Sequence, residues 1–169
     1  MASTVTELLR RRFGGKKGED LSTWVKATFH LNNNSASQYI VDGNTNRVPD
    51  AALSASRIII DGAEITPQRQ VAMSRGDHTV YYQIGDGGGY GWWYWVTNVR
   101  SIEIPANVTS LIGSAIVFAT SSAVVMTFYG HAPFSSIITA TYVRNRTIYV
   151  KEDYKQEYID LGFTNVNTF

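Results

Sequence analysis

The sequence predicts a mainly β fold: a small antiparallel β-sandwich followed by a short β-solenoid, with a short helix near each end. Three observations predict it. The 169 residues are rich in Val, Ile, Thr and Tyr and include 14 Gly, a composition that favours strands and turns. Short apolar–polar alternations recur between turn signals from about residue 21 onward. Further along, pairs of apolar residues return at a fixed long interval. With 44% apolar and 17% charged residues, the chain has enough apolar material for a core and too little charge to stay disordered.

Residues 1–20 are expected to form an anchor helix and linker. Thr4 and Glu7 stand at capping-box spacing. Leu8, Leu9, Arg10, Arg11 and Arg12 are good helix formers, and Gly14-Gly15 ends the run after Phe13, so a helix is predicted over about 4–13. Arg10–Arg12, Lys16 and Lys17 against Glu7 give residues 1–18 a net charge of +4, leaving −3 on the rest of a chain whose total is +1. Phosphates could attract such an arm. No aromatic platform is interleaved with its charges, and an anchor that folds onto another protein is the preferred reading.

Residues 21–86 are expected to form the sandwich, small and Ig-like. Val25, Ala27, Phe29 and Leu31 alternate with Trp24, Lys26, Thr28 and His30, the period of a half-buried strand. Asn32–Ser35 reads as a turn, Gln38–Val41 as a strand, and 47–56 as a loop. Arg57–Ile60 is a strand, Asp61-Gly62 a hairpin turn and Ala63–Thr66 the returning strand. Gln70–Met73 is another strand, and Arg75-Gly76-Asp77 turns the chain into His78–Ile84.

Residues 87–151 are expected to form the solenoid. Val80/Tyr82, Ile102/Ile104, Met126/Phe128 and Ile148/Val150 are same-face pairs separated by 22, 24 and 22 residues, an interval that falls among leucine-rich-repeat periods. One coil cannot bury its apolar face alone, so the pairs should stack in register, with His78–Ile84 as the strand shared with the sandwich. Residues 152–169 are expected to be a helix over Glu152–Asp160, with Tyr154, Tyr158 and Leu161 on one stripe, ended by Gly162 and followed by a polar tail.

Ser101-Ile102-Glu103-Ile104-Pro105-Ala106-Asn107-Val108-Thr109-Ser110 resembles the Ile-x-Ile-Pro-x-x-Val-Thr-Ser pattern of the BspA-like leucine-rich repeats. Ser121–Gly130, Pro133, and Thr147–Val150 followed by Tyr154 and Tyr158 match the later parts of that pattern, so the resemblance covers roughly residues 99–160. Thr120 stands where the family has Cys, and the spacing over Leu111–Ala119 differs, which makes the array degenerate and leucine-rich-repeat-like. Thr6–Phe13 resembles the start of virion and tail proteins of tailed phages of gut bacteria. Residues 23–84 are similar to the sandwich that precedes the repeats in those proteins. The resemblance implies a virion structural protein, a capsid decoration or head-fibre component or a tail or fibre adaptor, assembled in the host cytoplasm. The implied partners are capsid, portal or fibre proteins, and the chain is expected to be a homo-oligomer.

The chemistry-bearing residues give no catalytic, cofactor or metal expectation. With no cysteine, disulfides and thiol chemistry are excluded. His30, His78 and His131 are widely spaced and expected to be surface or hydrogen-bonded, and no metalloprotease, nucleophile-elbow or P-loop motif occurs. Gly85–Gly91 lacks a phosphate-binding lysine and reads as a hinge. The Asn-x-Ser/Thr triplets at Asn33, Asn107 and Asn145 read as chance, since no secretion signal and no membrane span are recognised.

Trp92, Trp93, Tyr94 and Trp95 are the most unusual run. On a strand they alternate between faces and cannot all enter one small core. One pair is expected to pack internally and the other to meet a partner protein, with a host-surface glycan as a further option. The alternative reading of the whole chain is therefore a receptor- or glycan-binding module that presents this aromatic surface.

Overall fold

A computed structural model describes residues 19–41, 55–84, 96–111, 124–134 and 145–169. It is mainly β. The strands are β1 (Val25–Leu31), β2 (Ser35–Tyr39), β3 (Ala55–Ile60), β4 (Ala63–Ile65), β5 (Gln70–Met73), β6 (Gly76–Ile84), β7 (Val99–Ile104), β8 (Val125–Phe128), β9 (Thr147–Val150) and β10 (Asn165–Thr168). A 3-10 turn, Glu152–Tyr154, leads into the one described α-helix, α1 (Lys155–Asp160).

Eight strands form one mixed sheet in the order β10-β9-β8-β7-β1-β6-β3-β4, and β2 pairs with β5 in a small second sheet. From β7 to β10 the pairing is parallel, and from β7 through β1, β6 and β3 to β4 it is antiparallel. Strand pairing thus runs through segments 21–86, 87–151 and 152–169 alike.

Alternation sorts the two faces. Val25, Ala27, Phe29 and Leu31 are buried and their neighbours are less so, as the period of 2 requires. Register then aligns one residue from each of the eight strands of the large sheet into an inner row: Ala63, Ile60, Val80, Ala27, Ile102, Met126, Ile148 and Val166. Over the antiparallel half this face is covered by the β2–β5 pair and the residues after β2. Ile40 and Val41 are buried, and the Tyr82 hydroxyl donates to the Ile40 carbonyl at 2.7 Å. Over the parallel half it is covered by α1. The Tyr158 ring lies 5.2 Å from Phe128 and 5.6 Å from Phe163, with Phe134 5.8 Å from Phe128. The Tyr158 hydroxyl donates to the carbonyls of Gly130 and His131, each at 3.2 Å. Burial drives its pKa well above the ordinary phenol range, so it remains a donor.

Several expectations meet their counterparts. The Ile102/Ile104, Met126/Phe128 and Ile148/Val150 pairs are buried and in register on adjacent parallel strands. Asp61-Gly62 joins β3 to β4 with both residues at positive φ, 49° and 83°, as a type I′ turn demands. Tyr158 is buried at the centre of the predicted stripe, with Tyr154 and Leu161 packed beside it, and Gly162 ends the helix at φ 86°.

Others are corrected. No solenoid is seen among the described residues. The repeated strands are rungs of the same sheet that holds the antiparallel half. The reason lies in the spacing itself: parallel neighbours need a crossover of a dozen or more residues, so a 22–24-residue period fits a crossover as well as a coil. The shared strand is β1 and not His78–Ile84, since β1 lies between β6 and β7. The second layer is a two-stranded pair, so an Ig-like sandwich of two comparable sheets is not seen among the described residues. Gly76 opens β6 at φ 128°. The segment expected as a polar tail supplies β10, paired in parallel with β9. Its alternation of Asn165, Val166, Asn167 and Thr168 is a strand period with a single apolar member, too faint to read as a strand. The predicted helix over 4–13 and the hinge at 85–91 lie outside the described residues.

Truncating Phe128 removes the ring at the centre of the aromatic cluster, so Phe128→Ala should cost about 3–5 kcal/mol in urea unfolding. A Cβ on Gly130 would meet the Ala106 Cα at 2.8 Å, whereas one on Gly62 would meet nothing within 4 Å. Gly130→Ala should therefore cost about 1–3 kcal/mol through overpacking. In Gly62→Ala only backbone strain should operate, about 1–2 kcal/mol. Equal unfolding midpoints for wild type and Gly130→Ala would contradict the packing described.

Candidate functional site

The outer face of the sheet carries its own register row: Glu64, Ile59, Tyr81, Lys26, Glu103, Thr127, Tyr149 and Asn167, one residue from each of eight strands. Near the middle of that row, where β1 enters the sheet and β7 leaves it, lies an open groove of about 530 Å³. Lys26, Tyr81 and Glu103 form its floor. Leu21, Ser22 and Trp24 border it on the side of the entering chain, and Pro105, Ala106 and Tyr129 on the other.

Each wall has a local cause. The chain turns just before β1, with the Trp24 amide donating to the Leu21 carbonyl at 3.0 Å. Trp24 is buried, and the Arg57 guanidinium lies 5.0 Å from its ring centre. Arg57 is fixed by two carboxylates. It donates to Glu64 through Nε and Nη2, both at 2.7 Å, and to Glu19 through Nη1 and, at 3.1 Å, Nη2. Hydrogen bonds to Glu64 and then Glu19 push its pKa further upward. This clamp ties the first described residue, Glu19, to β3 and closes the turn over the outer face. On the opposite wall, the Tyr129 amide donates to the Ile104 carbonyl at 3.0 Å and continues the β7–β8 ladder.

The charges in the groove are mutually satisfied. Lys26 Nζ donates to Glu103 Oε1 at 2.7 Å, and the Tyr129 hydroxyl donates to Oε2 at 3.2 Å. The hydrogen bond to Glu103 raises the Lys26 pKa, while burial followed by the Glu103 charge raises that of Tyr129. Lysine and phenol both stay protonated at neutral pH. The Lys26 and Glu103 side chains are 32% and 30% exposed, so the pair contributes only about 0.2–1 kcal/mol to stability. Its larger effect is to place a fixed donor beside a fixed acceptor in a wall of aromatic rings.

The histidines stand apart from the groove, each against a carboxylate: His30 Nδ1 to Asp77 at 2.6 Å, His78 Nδ1 to Asp61 at 2.7 Å and His131 Nδ1 to Glu157 at 3.2 Å. His78 Nε2 also faces the Ser74 carbonyl at 2.9 Å, so both ring nitrogens meet acceptors and the cation is favoured. Among the described residues no group of three or more His, Cys, Asp or Glu is placed to hold a metal ion. Among the same residues no helix is long and apolar enough to cross a membrane.

Leu8, Leu9, Arg10, Arg11, Arg12 and Phe13 of the expected anchor, and Trp92, Trp93, Tyr94 and Trp95 of the aromatic run, lie outside the described residues. The groove was not read from the sequence. Lys26 and Glu103 appear there only as polar members of alternating strands, 77 positions apart, and the antiparallel register that joins them is not a local signal. Trp24, two positions before Lys26 in the alternating run, is the one hint the sequence offers.

Compared with known proteins, the chain gives no significant match to a family model, a curated protein or a solved structure.

His78 yields a pH prediction. Burial opposes its charge, but Asp61 and the Ser74 carbonyl outweigh burial and raise its pKa above the ordinary 6.5. Its stabilisation is therefore complete below the unfolded-state pKa and is lost as pH rises through the raised folded-state value. Urea midpoints measured across that window should decline in the wild type relative to His78→Gln. A difference that stays constant with pH would remove the imidazolium from the account.

Proposed function

We propose that this chain is a non-enzymatic structural protein of a phage particle, held to other virion proteins by its N-terminal segment. The observation that supports it most is the parallel ladder of Ile102/Ile104, Met126/Phe128 and Ile148/Val150. These are the strand positions on which the resemblance to BspA-like repeats of phage proteins rests. The Glu19–Arg57–Glu64 clamp adds a second support. It holds the start of the body to the sheet, so a segment before it can engage a partner without loosening the core. In this reading Leu8, Leu9 and Phe13 enter an apolar groove of a capsid, portal or fibre protein. Arg10–Arg12 pair with acidic groups there, since guanidinium forks favour bidentate carboxylate contacts. A body of this kind would assemble with further copies of itself in the host cytoplasm and end in the virion.

The second reading, a receptor- or glycan-binding module, is favoured by a separate observation: the outer face of the sheet carries a groove with three aromatic residues around a satisfied ion pair.

Removing residues 1–17 keeps Glu19 and the clamp. The shortened protein should show the far-UV circular dichroism and unfolding midpoint of the full chain yet fail to enter particles in a complementation assay. Normal incorporation of the truncated, folded protein would show that the N-terminal segment is not the anchor.

A further inference from the structure

We propose that the groove between the Leu21–Trp24 turn and Tyr129 binds a neutral pyranose unit of a polysaccharide, with the Lys26–Glu103 pair recognising two adjacent hydroxyls. This site does not rest on the virion reading, and it differs from the aromatic run at 92–95.

The charge argument comes first. The groove holds one ammonium and one carboxylate, 2.7 Å apart, and the Tyr129 phenol is held neutral. The pair carries no net charge, so the groove exerts little long-range pull on an ion of either sign. A phosphate would be repelled by the Glu103 carboxylate and a cationic ligand by the Lys26 ammonium. A neutral polyol is repelled by neither. Lys26 Nζ spends one of its three donors on Glu103, and Glu103 accepts two hydrogen bonds where its two oxygens offer about four acceptor positions. A donor and an acceptor with capacity to spare therefore sit side by side. A vicinal diol matches that arrangement: one hydroxyl accepts from Lys26 while its neighbour donates to Glu103. Hydrogen bonds to charged groups are the stronger kind, so this pairing gives both orientation and affinity.

The shape argument is independent. About 530 Å³ lies within the roughly 300–1,000 Å³ range of small-ligand sites. The rings of Tyr81 and Tyr129 flank the ion pair, and Trp24, in the turn before β1 and itself buried, borders the groove. A pyranose has an apolar C–H face and a polar hydroxyl rim, and a π-surface beside a hydrogen-bonding pair serves both. The floor is preorganised, because Lys26, Tyr81 and Glu103 stand on three hydrogen-bonded strands.

The test uses the full-length, isotope-labelled protein. Methyl glycosides of glucose, mannose and galactose, then lactose and maltose, are titrated while backbone amide and tryptophan indole shifts are followed. Inorganic phosphate and glucuronic acid are the charged controls. At least one neutral sugar should bind with a dissociation constant of about 1 mM or tighter. The shifts should cluster at Trp24, Lys26, Tyr81, Glu103 and Tyr129, and neither charged compound should displace the sugar. Glu103→Gln and Lys26→Met should each weaken binding about tenfold or more, given what a hydrogen bond to a charged group contributes. Tyr129→Phe, which keeps the ring, should bind far better than Tyr129→Ala. Shift mapping on the wild type needs no variant, so a misfolded substitution leaves the test intact. Failure of every neutral sugar to shift the groove, or preference for phosphate or glucuronic acid, overturns the proposal. Shifts centred on Trp92–Trp95 instead overturn this site while supporting the aromatic run, and particle incorporation is unaffected by any of these results.

Discussion

β1 has to satisfy backbone hydrogen bonds along both of its edges, and the rest of the molecule depends on how it does so. On one side it pairs with β6 over seven register positions, and on the other with β7, with a bulge between Thr28 and Phe29. No buried strand tolerates an unpaired edge, because each orphaned amide or carbonyl carries a desolvation cost. β1 is therefore where the antiparallel half and the parallel half become one sheet. The inner row that reaches Val166 at one edge and Ala63 at the other exists only because Ala27 faces both Val80 and Ile102.

The same constraint makes the groove. Tyr81 comes from β6, Lys26 from β1, Glu103 from β7, and Tyr129 follows β8 directly. Separate bodies for the two halves would put Lys26 and Glu103 on different surfaces. A single sheet fixes them 2.7 Å apart. The outward positions that alternate with the core are thus not merely a solvated face. At one end of the central strands they assemble a donor, an acceptor and aromatic rings from segments far apart in sequence.

Much of the fold was legible because its signals are local. The alternation of Val25 to Leu31, the Asp61-Gly62 turn and the Tyr154, Tyr158 and Leu161 stripe each act within a few residues, and each appears where the pattern places it. The 22–24-residue interval also marked strands that do pair. It could not tell a coil from a crossover, since both return the chain to a parallel neighbour after a similar length. β1 was recognised as a strand, but its place between β6 and β7 is a long-range choice that no short window reveals. The strand at Asn165–Thr168 was hidden for a different reason. It is a polar edge strand, whose outward Asn165 and Asn167 donate to the carbonyls of Asn145 and Ile148. The groove was invisible as a unit because its ion pair needs the β1–β7 register.

Native-state hydrogen exchange tests the continuity of the sheet directly. The amides of β1, β6, β7 and β8 should share one large opening free energy, because breaking either edge of β1 exposes the common inner row. Two separate opening free energies, one for β1, β3 and β6 and another for β7, β8 and β9, would contradict the account. They would restore two independent bodies and leave the groove without its floor.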